Sequence, residues 1–268
     1  MPKAMAAVFA LVLAVSVALP AGAQTPSTDT REQAAVAFAD AASTYEDIVN
    51  LFLNNRTGVM QAALGSVREV LTRLRPSLNE HTAATLDRHL KEMETAEAKG
   101  DITTTALTAA ESFRTVVTAT TPQMRRTPIE LSMYAYWAYR LVVLGSDAKS
   151  NWPEMTQSAK ESERSWILLR EMVRDTNVRL LLEENQRGMA EAVARNDAAG
   201  VKFAARVQIA STAVLGNSFG RIERTAEAAK PSGKKKVASV KRKVRVVRSA
   251  GPRMVASMGG LVFRLLRR

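Results

Sequence analysis

Residues 31–52 read REQAAVAFADAASTYEDIVNLF. Within them Ala35, Phe38, Ala42, Tyr45, Val49 and Phe52 recur at alternating spacings of three and four. An α-helix turns once in about 3.6 residues, so these side chains lie along one face and predict an amphipathic helix. Met60, Leu64, Val67, Leu71 and Leu74 repeat the pattern in the following segment. No long run of Val, Ile or Thr alternates with polar residues, as a half-buried strand requires. The sequence to about Arg224 is rich in Ala, Leu, Arg and Glu, which favour helix. The expected fold is all-α: an antiparallel helical bundle over residues 31–229, then a basic, largely disordered tail that ends in an amphipathic helix.

Punctuation along the body divides the helices. Asn54 to Gly58 interrupts the first, and Pro76-Ser77 is expected to end one helix and cap the next. Gly100-Asp101 has the pattern of a C′ glycine followed by an N-cap aspartate. Thr121-Pro122 to Thr127-Pro128 forms a linker, and Ser150-Asn151-Trp152-Pro153 starts a helix with proline in its first turn. Asp175-Thr176-Asn177 suggests a kink and Asn196-Asp197 a turn, while Gly216 to Gly220 should fray the last helix. The breaks are compatible with two similar halves, 31–121 and 127–224. At an offset of 96, Met93/Met189, Ala96/Ala192, Ala98/Ala194, Asp101/Asp197 and Ala109/Ala205 match. A single bundle of helices of similar length is the alternative.

The most apolar stretch, Ile129 to Leu144, is polar only at Glu130, Ser132 and Arg140 apart from its tyrosines. A helix apolar nearly all round is buried on most sides. Aromatic core packing is the expected role of this segment. The functional alternative is a wall of an apolar pocket, with Tyr134, Trp137 and Leu141 facing a small ligand. For Glu130 and Arg140 a local ion pair or a position near a helix end is expected.

Signs of catalysis are missing. The chain has no cysteine, which rules out disulfides, thiolate nucleophiles and covalently attached haem. Its two histidines are His81 and His89. His89 and Met93 lie one helical turn apart and are the candidate cofactor ligands, since imidazole and thioether bind haem iron or copper. Their surroundings argue for a solvated face instead: Glu80, Asp87, Arg88, Lys91, Glu92, Glu94 and Glu97. Di-iron bundles use Glu-x-x-His, and here leucines stand at 78 and 86, three before each histidine. H-E-x-x-H, G-x-S-x-G and the P-loop are absent. The expectation is a non-enzymatic protein without a resident cofactor or metal.

The N-terminus reads as an export signal. Lys3 precedes an apolar run from Ala4 to Leu19, and Pro20-Ala21-Gly22-Ala23 supplies the small residues a signal peptidase needs. Residues 1–23 are expected to be removed, with 24–30 a flexible mature start and a periplasmic or secreted product. Lack of cysteine suits that compartment.

The charge is segregated. The chain carries +12, yet the segment 229–268 alone holds thirteen Lys and Arg and no acid, leaving −1 for all the rest. Lys234, Lys235, Lys236, Lys241, Arg242, Lys243, Arg245 and Arg248 precede Gly251-Pro252. On a helix over 252–268, Arg253, Arg264, Arg267 and Arg268 share an arc of about 100°. Leu261, Val262, Phe263, Leu265 and Leu266 fill the opposite side. A basic stripe against a broad apolar face marks an interfacial helix, so an anionic membrane surface or lipopolysaccharide is the expected partner. A protein partner is second. Nucleic acid ranks lower, because phosphate contacts do not account for the apolar half.

Overall fold

The computed structural model describes residues 28–147 and 151–228. They form eight α-helices, with no strand among the described residues: α1 Thr28–Leu53, α2 Met60–Leu74, α3 Glu80–Ala98, α4 Ile102–Ala119, α5 Ile129–Leu144, α6 Trp152–Arg170, α7 Thr176–Ala194 and α8 Ala198–Ala228. The segment expected to be an export signal, residues 24–27 of the expected flexible start, and the basic tail lie outside the described residues. None of the described helices is long and apolar enough to cross a membrane.

The apolar stripes become the core. Phe38, Tyr45 and Val49 of α1 and Met60, Leu64, Val67, Leu71 and Leu74 of α2 are all buried. Helix α1 packs on α2 and α4, and α3 packs on α2 and α4. The same order recurs later: α5 packs on α6 and α8, and α7 on α6 and α8. Helix α4 packs against α5. Arg68 pairs with Glu94 and Arg75 with Asp87, so α2 and α3 run antiparallel.

Most of the breaks stand where the sequence puts them, but five expectations differ. Helix α1 already begins at Thr28, inside the stretch 24–30 expected to be a flexible start. Asn79, rather than Ser77, caps α3, accepting from the Thr82 amide at 2.8 Å, while residues 75–77 form a short 3-10 turn. At Asp175 the chain does not kink within a helix; α6 ends at Arg170 and Asp175 caps a new one through the amides of Asn177 and Val178. Helix α8 continues through Gly216 and Gly220. A helical glycine costs only about 1 kcal/mol, less than burying a leucine side chain returns, and Leu215 is buried beside Gly216. Arg140 pairs across helices and not with Glu130.

The α3–α4 and α7–α8 turns share one design. Gly100 has φ +74° and Asn196 φ +53°, the left-handed conformation that glycine and asparagine tolerate best. Asp101 and Asp197 donate their amides to Ala96 and Ala192, and each then caps the following helix. Replacing Asp101 or Asp197 by Ala should each destabilise the fold by about 1 kcal/mol in urea denaturation. Hydrogen bonds from Thr104 hold the Asp101 carboxyl below its ordinary value. Its contribution is therefore present above the unfolded value near 3.8 and lost as pH falls through the folded one. The gap between wild type and Asp101→Ala should shrink at pH 3.

Candidate functional site

Helix α5 is enclosed by helices that bring polar side chains against it. Ten of its sixteen residues are buried. Ala135, Tyr136, Tyr139 and Val143 join the core of α1–α4. Ala138, Leu141, Val142 and Leu144 pack with Met155, Met189 and Val201. Leu131 and Tyr134 pack with Trp166, Leu169 and Leu182. The three residues expected to face one apolar pocket are thus divided: Tyr134 and Leu141 are fully buried in different clusters, and half-buried Trp137 packs against a third, the core of α1–α4. The rings of Tyr134 and Trp166 meet at a tilt with centroids 5.8 Å apart, as do those of Tyr136 and Trp137 with centroids 4.5 Å apart.

Three polar clusters surround this helix. In the first, Arg140, whose side chain is 15% exposed, pairs with Glu111 of α4 and Glu154 of α6. Tyr136 donates to Glu111 at 2.7 Å, and Arg114 pairs with the other oxygen of Glu111 at 2.8 Å. The second cluster lies among α5, α6, α7 and α8. Gln208 donates to the carbonyl of Tyr134 at 2.6 Å and to Ser162 at 2.8 Å, and Gln186 donates to the Tyr134 hydroxyl at 2.7 Å. Tyr134, Ser162, Gln186 and Gln208 are all buried. In the third, Glu46 of α1 meets the Tyr139 hydroxyl, which hydrogen-bonds its carboxylate. Burial pushes the Glu46 carboxyl up to about 7, against the lowering effect of that bond.

His89 is half-buried between α3 and α4, with Nδ1 3.2 Å from the Ser112 hydroxyl. The solvated face foreseen for it holds for Glu80, Asp87, Arg88, Lys91 and Glu92 but not for the imidazole itself. Desolvation, assisted by Arg88, lowers its pKa. Met93 is fully buried in the core one turn further on. The polar residues buried on α4 are Thr105, Thr108 and Ser112, which are poor ligands for the soft or borderline metals that imidazole and thioether favour. Among the described residues, no three His, Asp or Glu side chains are placed to hold a metal ion. The basic and apolar contact residues of the tail lie outside the described residues.

The arrangement is that of a locked interior. Among the described residues its carboxylates, amides and hydroxyls are largely engaged with one another. The glutamine cluster was not legible as a site, yet a signal for it exists: Ser158, Ser162 and Ser165 fall at spacings of four and three on α6, the period of a packing face, as Thr105, Thr108 and Ser112 do on α4. No protein-family model matches the chain, and no curated protein or solved structure matches it.

Two outcomes follow from these clusters. Gln208→Leu strands buried groups on Ser162, Gln186 and the Tyr134 carbonyl, and should cost about 2 kcal/mol in chemical denaturation. For Glu46 the folded pKa is above the unfolded one, so its protonated form favours the fold: that stability is present below about 4.5 and lost as pH rises through about 7. Stability curves at pH 5 and 8 should show wild type losing relative to Glu46→Gln. His89 contributes with the opposite sign in both proteins, so the difference between them isolates Glu46.

Proposed function

We propose that this chain is an exported, non-enzymatic interaction or sensing module whose helical body is held at an anionic membrane surface by residues 230–268. The observation that carries this reading is the segregation of charge: thirteen cationic residues without one acid in the last forty positions, on a chain whose remaining residues sum to −1. Each lysine or arginine near an anionic surface contributes roughly 1 kcal/mol, and the apolar side of 252–268 adds burial at the acyl boundary. Residues 1–23 supply the export signal in this account. The interior clusters join helices to one another, which suits a body whose polar groups serve the fold.

The body is read as an antiparallel bundle of two similar four-helix halves. In support, α3 and α7 have the same length and start 96 residues apart, as do the glycine or asparagine turns and aspartate caps that follow them. Leu86 and Leu182, also 96 apart, are both fully buried. A ligand carrier using haem or a metal at His89 and Met93 has less support, since Met93 is enclosed in the core and Ser112 occupies the imidazole Nδ1.

Co-sedimentation with vesicles tests the tether. The full chain should pellet with anionic vesicles, not with neutral ones, and release progressively as salt rises. A chain ending at Ala229 should stay in the supernatant with both. Binding by the truncated chain, or failure of the full chain to bind, overturns the proposal.

A further inference from the structure

Beyond the tether, a groove of about 390 Å³ lies between α1 and the connection from α4 to α5. Its volume falls within the range of small-molecule sites, roughly 300–1,000 Å³. Ala35, Phe38, Val117 and Met124 give it an apolar lining, and Arg125 and Arg126 stand at its edge. Among the described residues neither arginine makes an ion pair, in contrast to Arg140, which takes two carboxylates.

The state of Arg125 is the unusual feature. One terminal nitrogen, Nη2, turns back to the backbone carbonyl of Thr120, which anchors the guanidinium. Its Nε–H is buried and has no acceptor. A buried charged donor left without a partner is costly, more so than a neutral one. Two acids are near. Asp40 also lines the groove, but it faces Arg73 at 4.0 Å; Glu130 shares a neighbouring hollow with both arginines and makes no ion pair with either. An anion at this end of the groove would supply the missing acceptor after a small rotation of Arg125. Guanidinium groups match carboxylates well, because their planar donors meet two oxygens.

We infer that this groove binds a small amphipathic acid, its carboxylate held by Arg125 and Arg126 and its hydrocarbon tail along Phe38, Val117 and Met124. The occupant is a free acid and not a peptide or an inorganic anion. An inorganic anion would leave the apolar wall wet, and the groove is too small for a long segment of chain.

Titration calorimetry with decanoate below its micelle concentration, on the full-length protein, tests the assignment. Decanol serves as the uncharged control. Decanoate should bind at one saturable site, at least tenfold tighter than decanol. Arg125→Gln/Arg126→Gln should weaken decanoate at least tenfold and leave decanol unchanged. Ala39→Trp, at an exposed position in the groove wall, should weaken both ligands. Arg126→Gln alone touches an exposed side chain, so it folds even if the double variant does not, and it should weaken decanoate at least threefold. The basic tail is present in every variant, so whatever it binds is constant across the series. Equal decanoate binding in wild type and Arg126→Gln, equal affinity for decanoate and decanol, or no saturable binding by wild type overturns the inference.

Discussion

The burial of α5 is the constraint on which the body depends. Ten of its residues are buried, and they belong to three separate core clusters. A helix apolar on so many sides has no stable exposed orientation, so α1, α4, α6 and α8 surround it. Arg140 is the exception within that helix, and it makes the arrangement specific. A buried guanidinium is tolerated only with partners, and its carboxylates come from different helices, Glu111 on α4 and Glu154 on α6. With Arg114 on the far side of Glu111, the cluster holds two cations and two anions and is neutral as a whole. Moving α4 or α6 along α5 would separate these charges, so the cluster fixes their register.

Much of this was legible in the sequence, where periodicity reports it. The stripes on α1 and α2 stand where the three-and-four spacing places them, and Gly100-Asp101 and Asn196-Asp197 end and restart helices as their backbone chemistry requires. What stayed hidden depends on tertiary context. Arg140 finds acids 29 residues before and 14 after it, a choice no local pattern encodes. Gln208 is flanked by Val207 and Ile209 and carries no mark that its amide will be shared by three helices. The serines of α6 look polar one at a time, and only their spacing reveals a packing face. Gly216 misleads in the other direction, because the burial of its neighbour Leu215 outweighs its weak helix propensity.

The division between interior and surface directs attention in the proposed account. Inside the body, polar groups hold helices together, and His89, the only histidine drawn into an interface, is engaged by Ser112. The unpaired cations among the groove residues stand at a surface, beside an apolar wall. The remaining excess of positive charge belongs to the last forty residues. A near-neutral folded part and a cationic appendage ask different things of their partners. In the proposed account the first selects by shape and a few placed charges, and the second by electrostatics that weaken with salt.

The tether is the central claim, and the isolated segment 230–268 tests it most directly. Circular dichroism of that peptide should show little helix in buffer or with neutral vesicles. With anionic vesicles it should gain helix, and the gain should reverse as salt is added. A spectrum unchanged by anionic vesicles, or an equal gain with neutral ones, would contradict the account.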